Sequence, residues 1–245
     1  MRTQAIFART KGYIAWPRWN TFNTGNNNNS ENRVDFNDGL KLPAHDTLIS
    51  FTARYQFRRN WGVRYQIMGK DFNGGGTPDE QFQFGPGNTN INYNQDVTSN
   101  WIHTYNRAEL IYDALKNCSS VVSVFAGWMH ADDKISLSCR NCGSQQSTFS
   151  RSTDSMIAGL EVQRCIKTAF NGGTLSFDHK GGVIFLDDVE GYDLETSLRY
   201  SIPLNCGRAG FFRGGYRFTQ MKKGTMEYYL EHAIEGGFVE GGFIF

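Results

Sequence analysis

The stretch Leu194-Glu195-Thr196-Ser197-Leu198-Arg199-Tyr200-Ser201-Ile202 alternates at every step. Side chains of an extended chain point to opposite faces in turn, so Leu194, Thr196, Leu198, Tyr200 and Ile202 share one face. Glu195, Ser197, Arg199 and Ser201 share the other. The same period recurs along the chain. Ile49, Phe51, Ala53, Tyr55 and Phe57 oppose Ser50, Thr52, Arg54 and Gln56. Trp61, Val63, Tyr65 and Ile67 oppose Arg64, Gln66 and Lys70. In 102–114, Ile102, Thr104, Ala108, Leu110 and Tyr112 oppose His103, Arg107, Glu109 and Asp113. Further alternating runs occupy 121–130, 156–163, 175–185 and 212–218. No segment sustains the apolar spacing of an amphipathic helix, so the chain reads as all-β.

The 245 residues carry 27 Gly, 5 Pro and 14% aromatics, with a net charge of +1. Near-neutrality excludes a basic nucleic-acid footprint, and no nucleic-acid partner is expected. A mean hydropathy of −0.49 and the lack of any run of about 18 apolar residues exclude a helical membrane protein. They leave a membrane β-barrel open, because its apolar residues fall at every second position.

The strands come in pairs with unequal joints. Short ones are Arg58-Arg59-Asn60, Asn117 to Ser120, Ile166 to Gly173 and Pro203 to Ala209. Long polar ones are 20–46, with its Asn26 to Asn29 run, then 73–100 and 139–150. Short turns at one end and long loops at the other are the layout of an outer-membrane barrel. The expected fold is one closed antiparallel transmembrane barrel over 1–245, of about ten strands, with eight or twelve as alternatives. Residues 1–10 read as a periplasmic segment and 11–19 as a weak first strand. The long connections read as extracellular loops and the short turns as periplasmic. The last strand lies within Glu227–Phe245, with a bulge at Gly236-Gly237 to reconcile Leu230, His232 and Ile234 with Val239, Phe243 and Phe245. Residues 1–10 lack an apolar signal core, so the chain reads as a mature form located in the bacterial outer membrane.

A soluble antiparallel sheet alternates too, with its charged face in water. In a small barrel that face fills the interior, where charges must neutralise one another. Arg54, Arg64, Arg107, Glu109, Asp113, Glu161, Glu195, Arg199, Arg213 and Arg217 are the expected interior network. Both signs are present, which points to a plugged lumen rather than a wide pore.

The layout resembles small outer-membrane β-barrel proteins of Gram-negative bacteria. The resemblance is carried by Val34-Asp35-Phe36-Asn37-Asp38-Gly39-Leu40, by the strand ending Arg54-Tyr55-Gln56-Phe57, by Trp61-Gly62-Val63-Arg64, and by the terminal Phe243-Ile244-Phe245. It implies that Phe243 and Phe245 form a signal for the barrel-assembly machinery, with Glu240 standing where a Gly is expected. It implies contact with outer-membrane lipid and lipopolysaccharide, and leaves a protein partner at the extracellular loops open. The layout is also like the ten-stranded barrels, among them the omptin proteases, which use Asp and His at the extracellular rim.

Candidate chemistry is sparse. Met129-His130-Ala131-Asp132-Asp133 puts His130 and Asp132 on one strand face, where a carboxylate could orient an imidazole. His103, Asp133 and Asp154 complete the set of candidate acid–base groups. Asp132, Asp133 and Asp154 lack the spacing of a calcium loop. No cofactor and no metal is expected. Of five cysteines, Cys139 and Cys142 form the one close pair and read as a small loop disulfide. Cys118, Cys165 and Cys206 lie at or beside short joints. The glycine clusters at 74–76 and 85–87 do not lead a strand into a helix, so they are loop punctuation. Asn28-Asn29-Ser30 and Asn117-Cys118-Ser119 match a glycosylation sequon by chance. The leading functional expectation is a non-enzymatic barrel acting structurally or through its loops. The alternatives are a narrow porin-like channel for ions or small polar solutes, a rim-site hydrolase using His130 and Asp132, and a soluble β protein.

Overall fold

The computed structural model describes residues 2–16, 32–79, 82–84, 89–91, 95–140, 146–169, 172–186, 188–204, 208–224 and 229–244. Thirteen strands occupy them: β1 (Arg2–Trp16), β2 (Asn32–Asp35), β3 (His45–Gln56), β4 (Trp61–Gly76), β5 (Phe82–Phe84), β6 (Thr89–Ile91), β7 (Val97–Lys116), β8 (Ser120–Cys139), β9 (Gln146–Thr168), β10 (Thr174–Leu186), β11 (Val189–Pro203), β12 (Ala209–Gly224) and β13 (Tyr229–Ile244). Eleven of them form one antiparallel sheet in the order β13-β12-β11-β10-β9-β8-β7-β4-β3-β1-β2, and β13 also pairs with β1. That last ladder runs from Arg2↔Gly242 to Ala15↔Tyr229. Ten of the sheet's strands have 12 or more residues. Among the described residues no helix is long and apolar enough to cross a membrane, which says nothing of crossing by strands.

The boundaries differ from the expected ones where side-chain alternation is a poor guide. Residues 2–10, expected as a segment ahead of the sheet, are strand, because β13 and β3 supply backbone partners on both sides. The connection 20–46 contains β2 and a turn at 36–39. The connection 73–100 shrinks at both ends, since β4 runs to Gly76 and β7 starts at Val97, and it holds the antiparallel pair β5–β6. In 139–150, β9 already begins at Gln146. The Asn26 to Asn29 run, Cys142, Cys206 and Phe245 lie outside the described residues.

No bulge interrupts β13. Its register with β12 is continuous from Ala209↔Ile244 to Gly224↔Tyr229. Leu230, His232, Ile234, Phe238 and Glu240 are buried, while Val239 and Phe243 are exposed. The two sets lie on two faces of one regular strand, so no phase shift is needed. Real irregularities lie elsewhere, on β7 between Asp113 and Leu115, and between β9 and β10 near Ser176.

The outward faces carry an apolar belt. Ile49, Phe51 and Tyr55 on β3, Val63, Tyr65 and Ile67 on β4, Leu110 on β7, Val124 and Trp128 on β8, Leu160 on β9, and Leu194 and Leu198 on β11 are all exposed. Above that belt the same faces turn polar. On β8, Trp128 is followed at every second position by His130, Asp132, Lys134 and Ser136. On β9, Met156 gives way to Asp154, Ser152 and Ser150 on the long-loop side. A soluble sheet protein rarely exposes contiguous apolar patches beyond a few hundred Å².

Candidate functional site: a paired interior and an outer-face histidine

The inward faces form two layers. The layer nearer the short turns is ionic. Glu109 on β7 faces Arg64 on β4 and Arg107 on its own strand, both in direct contact, with Lys180 of β10 at 3.5 Å. Arg107 also contacts Asp193 of β11, which accepts from Arg217 Nε at 3.2 Å. Arg217 in turn donates to the Tyr105 hydroxyl at 2.6 Å. Arg213 lies 2.7 Å from Glu195 and 2.6 Å from Glu240. Arg199 meets Asp178 at 2.6 Å. At the lower edge, Arg54 donates to Asp113 at 3.1 Å, and Arg64 reaches Glu161 at 2.7 Å. The layer comprises seven cations (Arg54, Arg64, Arg107, Lys180, Arg199, Arg213, Arg217) and seven carboxylates (Glu109, Asp113, Glu161, Asp178, Asp193, Glu195, Glu240), each in at least one ion pair. Arg64, Arg107 and Lys180 also stand over the ring of Phe125, at 5.5, 5.6 and 4.9 Å from its centroid. The formal charges balance, and pairing offsets the desolvation that would otherwise forbid so many buried charges.

All ten residues of the expected network stand in this layer. Four members, Asp178, Lys180, Asp193 and Glu240, were not in that set. Asp178 and Lys180 sit on the polar face of an alternating run and could have been found by extending the same rule. Asp193 lies one residue before the decisive stretch. Glu240 stands where the terminal signal has a Gly, and its register opposite Arg213 makes it a counter-ion.

The layer nearer the long loops is mainly apolar, around one buried polar cluster of His103, Asp133 and His232. Trp101 is fully buried, stacked on Phe72 with centroids 4.8 Å apart and tilted against Phe36 at the same distance. Phe36, Leu40 and Leu42 belong to the segment that follows β2, which dips inward. The Asp35 carboxylate caps the N–H groups of Asn37 at 2.8 Å and Asp38 at 3.1 Å, and Leu42 N donates to Phe36 O at 2.8 Å. Ser99 donates to the Leu40 carbonyl, and Lys41 pairs with Asp79 at 2.6 Å. The interior is thus not filled by charge throughout, as expected from alternation alone. Near the loops the inward positions of β4, β7 and β8 switch to Phe72, Trp101, Ile135 and Leu137.

The histidines divide by face. His103 lies inside, its Nδ1 2.8 Å from Asp133, which also accepts from Trp101 Nε1 at 2.9 Å. His232 stacks edge-on at 4.9 Å from His103. His130 and Asp132 lie on the outer face, one step above Trp128. His130 Nδ1 is 2.8 Å from Asp154 and Nε2 is 3.3 Å from Asp132, whose carboxylate accepts from Ser152 at 2.5 Å. The hydrogen bond to Asp154, with the field of both carboxylates, raises the His130 pKa. With a carboxylate at each nitrogen, the imidazole in this arrangement has no free ring nitrogen to turn toward a substrate. Among the described residues no group of three or more His, Cys, Asp or Glu is placed to hold a metal ion. Cys139 is buried and disulfide-bonded, while Cys118 and Cys165 are free thiols. Phe243 points outward, exposed.

No protein-family model matches the sequence, and no curated protein is similar to it. Solved structures do share its outline. The transport unit of the autotransporter AIDA-I from Escherichia coli aligns with a TM-score of 0.43 at 10% identity, over 100% of this chain and 90% of that one. The outer membrane protease OmpT from Escherichia coli aligns at 0.48 and 5% identity, over 99% and 95%. The attachment invasion locus protein Ail of Yersinia pestis, in complex with the heparin analogue sucrose octasulfate, aligns at 0.37 and 9%, over 98% and 97%. At these scores no residue role and no ligand passes to this chain from the three outer-membrane proteins it aligns with.

Proposed function

We propose that the chain is a ten-stranded barrel, closed by the β1–β13 ladder, that sits in a bacterial outer membrane with its lumen sealed and acts through the surfaces it presents. The observation that carries this reading is the match between the two faces of the same strands. The outward face is apolar over a belt, which suits acyl chains. The inward face is a formally balanced set of ion pairs topped by Trp101, Phe72 and the inward segment with Phe36 and Leu40. Backbone groups in hydrocarbon need internal partners, and a ladder joining first strand to last supplies them. The short turns then face the periplasm and the long connections the exterior, where lipopolysaccharide and a protein partner would meet them. Biogenesis would use the barrel-assembly machinery, with Phe243 and Phe245 in its signal.

The reading is tested in planar bilayers. Protein folded in detergent should show heat-modifiable migration on a denaturing gel and add no steady conductance steps. Steady steps from the unmodified chain would overturn the sealed lumen. A chain that stays monodisperse in plain buffer would overturn the membrane reading altogether. The rim-site hydrolase reading is disfavoured by the double engagement of His130.

A further inference from the structure

The outward face of β3, β4, β7 and β8 is dented. Ala53, Ala108 and Ala126 stand where neighbouring strands carry large side chains, and a groove of about 780 Å³ opens over them, walled by Tyr55, Val63 and Leu110. The ladder places the dent: Tyr65 pairs with Ala53 on one side and Ala108 on the other, while the neighbouring row runs Tyr55, Val63, Leu110 and ends at Ala126. At the short-turn end of the groove, Trp61 and Tyr112 form a ledge with centroids 4.8 Å apart. Just beyond the ledge comes the turn Arg58-Arg59-Asn60, whose two arginines are exposed.

The charge at this rim is one-sided. Among the described residues, the exposed charged side chains around the short turns are Arg54, Arg58, Arg59, Lys116, Arg164, Lys167 and Arg208, all cationic, of which Arg54 and Lys116 reach the Asp113 carboxylate. The carboxylates nearest to them, Asp113 and Glu161, point inward into the ionic layer. The rim beside the long loops is mixed, with Asp71, Asp154 and Glu190 exposed alongside Lys134 and Arg151.

We infer that this groove is a binding site for one anionic glycerophospholipid of the leaflet at the short-turn side. Its acyl chains lie over Ala53, Ala108 and Ala126. Its glycerol backbone rests at the Trp61–Tyr112 ledge, where amphipathic rings sit at the level of the headgroups. Its phosphate meets Arg58 and Arg59, and guanidinium groups match phosphate geometry with paired donors. Cationic side chains close to a bilayer surface each favour anionic over neutral lipid. The inference rests on the membrane reading above, and concerns a different face from the one that seals the lumen.

Nondenaturing mass spectrometry of the full chain, released from micelles doped with phosphatidylglycerol or phosphatidylethanolamine, tests it. The unmodified chain should retain one phosphatidylglycerol, with roughly tenfold preference over phosphatidylethanolamine. Arg58→Gln with Arg59→Gln should abolish the preference. Ala108→Phe with Ala126→Phe, which fills the groove, should abolish retention of either lipid. Equal retention of both lipids by the unmodified chain, retention that survives the filled groove, or lipopolysaccharide displacing the phospholipid would each overturn the site. The arginine variants alter only an exposed turn, so they decide the headgroup contact even where the filled variant does not fold. Conductance measured on the same preparation reports on the lumen separately, so failure of either idea is told from failure of the other.

Discussion

At the residue scale, Glu109 is the most consequential side chain. Three cations, Arg64, Arg107 and Lys180, converge on its carboxylate, which is fully buried. Removing one partner of a buried ionic set leaves the others uncompensated, typically at a cost of about 3–5 kcal/mol. Glu109→Ala should therefore lower the midpoint of denaturant unfolding in micelles strongly. Arg54→Ala, at the half-exposed lower edge, should cost about 1 kcal/mol or less. Equal effects of the two substitutions would contradict the layer as drawn. His130 gives a pH signature instead. Its pKa is raised in the folded chain by Asp154 and Asp132. A raised imidazole pKa stabilises the fold below its unfolded value, and that contribution disappears as pH climbs through the folded one. His130→Gln should then be destabilising in mildly acidic buffer and neutral in alkaline buffer, read from paired unfolding curves; a pH-independent difference would contradict the double carboxylate contact.

At the element scale, the inward segment after β2 is held by close backbone approach as much as by side chains. A Cβ added at Gly74 on β4 would meet the Lys41 carbonyl oxygen at 2.2 Å. Gly74→Ala should push the segment off the Trp101–Phe72 stack, at about 1–3 kcal/mol, the usual range for overpacking. Limited proteolysis should then cut within 36–42, where the unmodified chain resists. Alternation made the strand faces legible in advance. From Leu194 to Ile202 the two faces follow directly from residue types, and so do the ten network members. What alternation could not supply was depth. Phe36, Leu40 and Leu42 sit in a polar-looking connection, and nothing in Asp35-Phe36-Asn37-Asp38-Gly39-Leu40 distinguishes an exposed turn from one folded inward. β1 was legible only in its second half, where 11–16 fall within the weak strand expected over 11–19. Arg2 to Thr10 mixes charges and small residues, and only the backbone partners on β3 and β13 make it a strand.

At the scale of the whole molecule, the ionic layer separates two demands. A soluble protein would display these fourteen charges to water; here they face one another and the apolar side chains face out. The sequence carries both faces, but their assignment to inside and outside depends on curvature, which residue types do not encode locally. A swap of Leu110 on the outer belt to Arg should be strongly destabilising in a bilayer, by about 2–4 kcal/mol if it lies near mid-depth. The same swap would be nearly silent in a water-facing sheet, so unfolding of Leu110→Arg in lipid distinguishes the two.

The pairing of β1 with β13 sets a timetable for biosynthesis. β1 and β13 stand at distant places in the chain order, so neither can complete its pairing until the other is present. Until Gly242 is available to Arg2, two strands present open rows of amide and carbonyl groups, and an open row in hydrocarbon is costly while an open row in water invites pairing with the wrong chain. Closing the seam therefore removes both open rows in a single step.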